Sequence, residues 1–237
     1  MTRYMFCHNS HPKRSVRVRL RWKIFALAGT ALVLAFSFSA TAAVAAPPPD
    51  GKNFSGHSTG LRVSIGLPGV PEPRDVATGA RTLFYFQQIQ EFDQWCWAAD
   101  GASIAAYSDR FIDQNEYCKL VHGSAADGQC PNDNASLEEI AAAFGKIGFD
   151  AKVGSPFSMT TVAAEIAANR PILTGIAWTA GGGHAQVVYG YDADAGTVTY
   201  GDPWPTSQRT VTQTLSSYTK NPEWLWFGED YRIAPKQ

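Results

Sequence analysis

The chain contains few cysteines and few histidines for its 237 residues, four and five respectively, and this scarcity limits the chemistry that it can support. It has no His-Glu-x-x-His sequence, no Cys-x-x-Cys pair and no cluster of histidines at ligand spacing. A zinc enzyme or a structural zinc module needs such a set of nitrogen and sulfur ligands. The sequence therefore predicts a protein without a metal site and without a cofactor.

Acidic residues are missing from the first 46 positions, which hold seven of the 20 lysines and arginines. The rest of the chain is left with 13 basic and 21 acidic residues, so its net charge is -8. Nucleic acids and anionic membranes are bound through clustered positive charge. The composition therefore argues against nucleic acid or a membrane as a partner of the mature protein.

The N-terminus has the three parts of a secretory signal peptide. A basic stretch at 13–23 is followed by an apolar run at 24–38 and by small residues at 39–46. The apolar run also approaches the length of a membrane anchor, but the small residues and the three prolines that follow favour cleavage. We expect residues 1–46 to be removed and the protein to be secreted into the extracellular space.

Residues 47–81 are rich in proline, glycine and serine, which predicts a linker or a short propeptide. The predicted folded domain spans 82–237 and opens with a strand at 83–86. Helices are predicted at 97–108 and after a capping box at Ser136. A third is predicted from a cap at Thr160 or Thr161, and it ends before Arg170 because the residue ahead of Pro171 avoids the helical region. Strand-like runs follow at 172–178, 185–191, 197–200 and 224–233. Helices followed by an antiparallel sheet are the order of an α+β fold.

Removal of residues 1–46 takes Cys7 away and leaves three cysteines in an exported chain, where cysteines tend to pair. A segment with two glycines, typical of a loop, separates Cys118 from Cys130, and we expect these two to form a disulfide. Cys96 then stays unpaired at the start of a helical pattern, where the helix dipole and free N–H groups favour a thiolate. A buried structural cysteine is the alternative interpretation of Cys96.

His184 is the best candidate for a base that activates Cys96. The other histidines beyond residue 46 are His57, in the predicted linker, and His122, which we expect to be exposed between the paired cysteines. Three glycines precede His184, and glycine lets the backbone approach a cleft closely. Asp202 follows the next strand-like run, so a hairpin would return it to His184, where a carboxylate orients the imidazole. Asp202 could instead only start a turn.

An oxyanion hole needs a second hydrogen-bond donor beside the backbone N–H of Cys96, and a side-chain amide usually supplies it. The glutamines that precede Cys96 are Gln87, Gln88, Gln90 and Gln94, and their spacing alone does not choose among them. The flanking Trp95 and Trp97 are expected to shield the thiol from water and to form apolar wall of the cleft.

These segments together resemble the papain-like cysteine peptidases. Gln90 stands six residues before Cys-Trp-Ala-Ala, and Gly-Gly-Gly-His-Ala is followed by Val-Val-x-Gly-Tyr-Asp and Gly-Asp-Pro-Trp-Pro. The resemblance covers about residues 82–233 and is greatest to compact bacterial members, namely secreted actinobacterial peptidases, type III effectors and bacteriocin-leader peptidases. It implies a papain-like fold in which a helical half, with the nucleophile helix, packs on an antiparallel sheet. It also implies Cys96 as nucleophile, His184 as base, Asp202 as third member and Gln90 in the oxyanion hole.

The expected function is that of a secreted, monomeric cysteine peptidase that hydrolyses peptide or isopeptide bonds of a protein or peptide substrate through a thioester. Asp93-Gln94-Trp95 replaces the residues that precede the nucleophile in the plant and lysosomal branch, and Asp202 stands where that branch has asparagine. The subsite preferences of that branch therefore cannot be transferred. Two alternatives stay open: acyl transfer to an amine, as in transglutaminases and transpeptidases, and a non-catalytic binding module on the same fold.

Overall fold

A computed structural model describes Tyr4–Met5 and residues 77–237. The predicted signal peptide and linker lie outside the described residues, except for those two residues and for 77–81. The described helices are α1 (Cys96–Tyr107), α2 (Gln114–His122), α3 (Leu137–Lys146), α4 (Met159–Ala167) and α5 (Leu215–Thr219). The described strands are β1 (Tyr4–Met5), β2 (Ala80–Thr82), β3 (Ala135–Ser136), β4 (Phe149–Gly154), β5 (Ile172–Trp178), β6 (Gly183–Asp192), β7 (Thr197–Gly201), β8 (Thr210–Thr214) and β9 (Trp224–Pro235).

Helix α1 is the central helix of the helical half, and its first ten residues are all buried. Its alanines and glycine let neighbouring elements approach closely. A Cβ atom at Gly101 would lie 2.2 Å from the ring of Tyr117, so the absence of a side chain lets α2 pack directly on α1. The helix predicted at 97–108 is confirmed. None of the helices within the described ranges is long and apolar enough to cross a bilayer.

Local capping signals explain where α3 begins and ends. The Ser136 side chain accepts a hydrogen bond from the backbone N–H of Glu139, and the Glu139 carboxylate accepts one from the N–H of Ser136. This reciprocal arrangement satisfies two N–H groups that the first turn leaves without partners. Gly148, with a φ of 84°, follows the last turn and ends the helix. The predicted capping box and the predicted stop are both confirmed.

Helix α2 was not predicted, and it extends into the segment that the sequence analysis assigned to a loop. Asp113 and Glu116 form a second capping box, which fixes its start. Its last residue, His122, was expected to be exposed, but it is half-buried and its ring meets the edge of Trp97 at a centroid distance of 5.4 Å. The expectation failed because a helix, unlike a loop, turns this side chain toward α1.

The sheet has the strand order β4-β9-β5-β6-β7-β8, with β2 paired to β6, and its described pairings are antiparallel. Its four central strands, β9, β5, β6 and β7, agree with the strands predicted between 172 and 233 within one or two residues at each end. Helices α1 and α4 pack on β6, and α3 packs on β4 and β9. The α+β class, with the helix that begins at Cys96 packed on an antiparallel sheet, is therefore confirmed.

Two predicted boundaries were wrong. The strand that opens the predicted domain is Ala80–Thr82 and not 83–86. Its pairing with β6 ends at Thr82 and Gly190, followed by one more backbone hydrogen bond from the Leu83 N–H to the Tyr189 carbonyl oxygen. The chain stays extended beyond it, with Phe84 and Phe86 exposed. Helix α4 is capped by Ser158 rather than by a threonine, and it ends at Ala167, before Arg170 as predicted.

The disulfide predicted between Cys118 and Cys130 is present, with an S–S distance of 2.05 Å. It joins α2 to the segment that follows Cys130. The indole N–H groups of Trp95 and Trp97 donate to the Pro131 and Asp133 carbonyl oxygens of that segment. Both indoles are fully buried. They therefore anchor the start of α1 to the disulfide-bonded segment and do not form the cleft wall that we expected.

Two neighbouring carboxyl groups on β9, those of Glu229 and Asp230, are fully buried. Burial raises the pKa of Glu229 to about 8, and the nearby Trp226 N–H opposes this rise only in part. Burial also raises the pKa of Asp230 well above its ordinary value, and the charges of Glu138 and Glu229 add to the effect. Burial therefore favours the neutral form of both groups.

Glu229→Gln is expected to reduce the loss of stability at alkaline pH. Because the Glu229 pKa is higher in the folded chain than its ordinary value of 4.5, the free energy of unfolding falls as pH rises toward about 8. The decline reaches about 1.4 kcal/mol per pH unit for one such group. Urea unfolding at about pH 5.5, 7 and 8.5 measures this slope. The exposed control Glu91→Gln should keep the wild-type slope, and an unchanged slope in Glu229→Gln would contradict the burial argument.

Candidate active site

The hairpin of β6 and β7 brings together His184, which precedes the first of its two predicted strands, and Asp202, which follows the second. Val187 pairs with Gly201 and Val188 with Tyr200 in this antiparallel register. One step further along the same ladder, Gln186 faces Asp202. His184 lies two residues before Gln186 and points to the same face, because side chains alternate along a strand.

His184 and Asp202 form a buried hydrogen-bonded pair, with 2.8 Å between His184 Nε2 and Asp202 Oδ1. Asp202 also accepts from the Trp204 backbone N–H at 2.8 Å and from Gln186 Nε2 at 3.1 Å. Burial alone would raise the pKa of Asp202, but the charge of His184 and these hydrogen bonds outweigh it and hold the pKa below its ordinary value. An ionised carboxylate can only accept hydrogen bonds, so His184 Nε2 carries a proton. His184 Nδ1 is then the ring nitrogen that remains available as a base.

Arg209 braces the loop that carries Asp202. Its guanidinium donates to the carbonyl oxygens of Asp202, Trp204 and Ser207, the first at 2.5 Å and the last at 2.7 Å. The next residue of the loop, Pro203, accepts a hydrogen bond of 2.9 Å from the backbone N–H of Gln90. The loop after β7 is thus tied to the segment that leads into α1.

Cys96 is the first residue of α1 and lies against the strand of His184. The Ala185 backbone N–H donates to Cys96 Sγ at 3.3 Å. The start of α1 has no side-chain cap, so its N–H groups and the helix dipole face the sulfur. The structure therefore brings Cys96, His184 and Asp202 into one buried region between α1 and β6.

Cys96 is disulfide-bonded in the structure. The expectation of an unpaired thiol at Cys96 therefore does not hold for the uncut chain. That expectation counted three cysteines after removal of residues 1–46, whereas the uncut chain has four, an even number that can pair completely. Nucleophilic chemistry at Cys96 requires the reduced sulfur.

Gln90 lies close to the start of α1, but its amide is already engaged. Its Nε2 donates to the backbone carbonyl oxygens of Phe92 at 2.8 Å and of Asp93 at 3.1 Å. Both N–H groups are used in this way, so one of them must be released before Gln90 can donate to an oxyanion. Of the other glutamines, Gln87 donates to Asp100 at 2.8 Å, which ties it to the protein interior.

A second buried carboxyl group, Asp100, lies one turn after Cys96 on α1. Burial raises its pKa well above the ordinary value, and the hydrogen bond from Gln87 and the charge of Arg209 offset this only in part. Burial therefore favours the neutral form of Asp100.

Two tryptophans frame the imidazole. Trp178, at the end of β5, stacks on His184 with ring centroids 6.1 Å apart and planes inclined by 22°. Trp204 meets the same ring edge-on at a centroid distance of 6.4 Å. The two indoles restrict the rotation of the ring and keep water away from its faces, which strengthens the hydrogen bond to Asp202.

Sequence reasoning missed three residues of this region: Gln186, Asp100 and Arg209. The sequence did contain a signal for Gln186. It is a polar residue in an otherwise apolar strand, and its position two residues after His184 places both side chains on the same face of the strand. Asp100 had a weaker one, as the one charged side chain in the apolar run of α1. Arg209 had none, because its contacts are to backbone carbonyls of an irregular loop. The described residues contain no group of three His, Cys, Asp or Glu side chains placed to hold a metal ion.

The chain is similar to several solved peptidase structures. The peptidase domain of Streptococcus ComA, a bifunctional ABC transporter of a quorum-sensing pathway, is 20% identical, with 64% of this chain and 99% of that chain covered and a TM-score of 0.45. A double-glycine-motif protease from an AMS/PCAT transporter, solved with its leader peptide, is 17% identical over 65% and 94%, with a TM-score of 0.43. A C39-like peptidase from Bacillus anthracis is 14% identical over 63% and 94%, with a TM-score of 0.43.

A comparison with curated protein sequences finds no significant match. The sequence model of one family does match, over residues 77–223, which is more than half of the chain and includes Gln90, Cys96, His184 and Asp202. The matched range also includes α1 and the β6–β7 hairpin. The chain belongs to the family of the papain-like cysteine protease AvrRpt2, and it is a cysteine-type peptidase.

Proposed function

We propose that the protein hydrolyses peptide or isopeptide bonds with Cys96 as nucleophile, His184 as acid and base, and Asp202 as the group that orients His184. The observation that carries this proposal is the buried hydrogen bond of 2.8 Å between His184 and Asp202. The residue after His184, Ala185, donates its backbone N–H to Cys96 Sγ, so the sulfur lies beside this pair. A nucleophile, a base and an orienting carboxylate in this order are the parts that acyl transfer needs.

The proposed reaction begins with reduced Cys96. His184 Nδ1 takes the proton of the Cys96 thiol, and the sulfur attacks the carbonyl carbon of the scissile bond. Collapse of the tetrahedral intermediate breaks the carbon–nitrogen bond, and His184 transfers the proton to the leaving amine. A water molecule then gives a proton to His184 and attacks the thioester carbon. The Cys96 sulfur leaves, and the Cys96–His184 pair again holds the proton with which the cycle began.

The negative oxygen of each tetrahedral intermediate needs donors. We assign this role to the Cys96 backbone N–H and to Gln90 Nε2, which leaves its contact with the Asp93 carbonyl oxygen, the longer of its two at 3.1 Å. Such donors act on charge that develops only in the transition state.

Gln90→Ala is expected to lower kcat by about 10²- to 10³-fold, with a much smaller change in KM. The neighbouring Gln88→Ala serves as the matched control, because its side chain accepts from Gln114 at 3.3 Å and is assigned no contact with substrate. Steady-state kinetics on one fluorogenic peptide compares the two variants. A larger loss of kcat in Gln88→Ala than in Gln90→Ala would overturn the assignment.

The cellular part of the proposal is that residues 1–46 direct export and are removed, and that the mature enzyme acts outside the cell as a monomer on protein or peptide substrates. The net charge of -8 on the remaining residues agrees with a protein that avoids nucleic acid and anionic membranes. Expression of the full chain with the intact mass of the exported product tests the cleavage. Export of an uncut chain would contradict it.

The peptidase activity is tested by digesting a library of native peptides with the full chain, in the presence and absence of a mild thiol reductant. New peptide termini should appear with the wild-type chain under reducing conditions, because the reaction requires the reduced form of Cys96. They should be absent with Cys96→Ala. Cleavage that persists in Cys96→Ala would contradict the proposal, whereas products joined to an added amine would indicate acyl transfer instead.

A further inference from the structure

A pocket of about 350 Å³ opens beside the His184–Asp202 pair. Its aromatic walls are buried side chains from three strands of the sheet, and polar groups border the rest of it. The pocket is lined by Trp178, Tyr200 and Trp224, by Asp202 of the pair and its hydrogen-bond partner Gln186, and by the exposed Glu223.

The position of this pocket places it on the leaving-group side of the scissile bond, if the proposed peptidase reaction holds. Trp178 both lines the pocket and stacks on His184. Because His184 gives its proton to the leaving amine, the peptide that carries this amine lies along the His184 side of the site and not along the Cys96 side. The first residues of the leaving peptide therefore pass the mouth of the pocket.

The charged side chains that line the pocket, Asp202 and Glu223, are both acidic, while His184 pairs with Asp202 and the Arg209 guanidinium bonds to backbone carbonyls of the same loop. None of the described lining residues is a lysine, arginine or histidine. The two carboxylates affect a tyrosine that also lines the pocket. The pKa of Tyr200 is raised well above its ordinary value, first by burial and then by the negative charges of Asp202 and Glu223. The pocket therefore attracts positive charge.

The hydrogen-bonding capacity of the pocket also favours a donor. Gln186 is 2% exposed and uses its Nε2 to donate to Asp202, but its Oε1 has no hydrogen-bond partner. A buried acceptor without a donor costs free energy that a ligand can recover by supplying the donor. An apolar ligand would leave this oxygen without a partner.

We propose that this pocket is a subsite for a lysine or arginine side chain among the first residues on the leaving-group side. An ammonium or guanidinium group is attracted by aromatic rings, and Trp178, Tyr200 and Trp224 line this pocket. It supplies the hydrogen-bond donors that Gln186 Oε1 and Glu223 accept, and charge strengthens those bonds. Its aliphatic stem packs on the indoles while the head reaches the polar groups. The inference rests on the proposed peptidase function and adds its substrate class.

The test uses the full chain under reducing conditions and the same native peptide library, followed by matched fluorogenic peptides. The sites cleaved in the library should be enriched in arginine and lysine within the first three leaving-side positions. A peptide with arginine at the enriched position should then have a kcat/KM about tenfold above its citrulline analogue, which has nearly the same size but no charge.

Glu223→Gln is expected to lower this arginine-to-citrulline ratio to about threefold or less. Asp150→Asn, which removes an exposed carboxylate from β4, is the matched control and should keep the wild-type ratio. Cleavage without a basic preference, or a ratio that Glu223→Gln leaves unchanged, would overturn the subsite and leave the peptidase function intact. Absence of Cys96-dependent cleavage of any peptide would overturn the proposed function, and the subsite with it.

Discussion

Cys96→Ser and His184→Ala are each expected to lower kcat/KM for peptide hydrolysis by about 10⁴-fold or more. Serine lacks the acidity and the nucleophilicity of a thiol, and alanine at 184 removes both the base and the acid of the proposed reaction. Because the two residues act as a unit, the double variant should be little slower than either single variant. Initial rates on a fluorogenic peptide under reducing conditions, with far-ultraviolet circular dichroism as the check on folding, measure all three.

The non-additivity is the informative part of this experiment. A structural role for both side chains would give losses that multiply, together with a change in folding. Retention of more than about a tenth of the wild-type rate in a folded Cys96→Ser variant would contradict the assignment of the nucleophile.

Asp202→Ala is expected to lower kcat/KM by about 10³- to 10⁴-fold, with the loss mainly in kcat. The variant removes the acceptor at 2.8 Å from His184 Nε2, which fixes the tautomer and the orientation of the ring. It also leaves Gln186 Nε2 and the Trp204 N–H without the oxygens that they reach now. Asp202→Asn keeps one oxygen acceptor in place, so its loss should be smaller than that of the alanine variant.

Asp194→Asn is the control for this series, because it removes an exposed carboxylate from the turn at the other end of the same hairpin. It should retain the wild-type kcat. If Asp202→Ala changed only KM, or if Asp194→Asn were equally slow, Asp202 would not be the orienting group and its contact with His184 would be structural.

The parts of the fold that local signals specify could be predicted from the sequence. The Ser136 capping box and Gly148 bound α3 as expected, since both act within a few residues. The hairpin that brings Asp202 to His184 also followed from strand patterns and turn spacing. Helix α2 escaped prediction because the two glycines between Cys118 and Cys130 favoured a loop interpretation over its capping box.

The parts of the site that depend on long-range packing could not be predicted. Arg209 acts on backbone carbonyls of a loop whose shape no local pattern gives. The engagement of the Gln90 amide depends on how the chain turns after it. The redox state of Cys96 depends on the complete set of cysteines in the uncut chain, which the expectation of an early cleavage had reduced to three.

The central claim is that His184 activates the reduced sulfur of Cys96, and covalent labelling tests it most directly. The full chain is treated with a thiol-directed epoxysuccinate inhibitor, with and without prior mild reduction, and examined by intact mass and peptide mapping beside His184→Ala. The proposed pair predicts rapid addition of one inhibitor molecule at Cys96 after reduction, and labelling at least about tenfold slower in His184→Ala. Equal rates in the two proteins, or labelling at a residue other than Cys96, would contradict the claim.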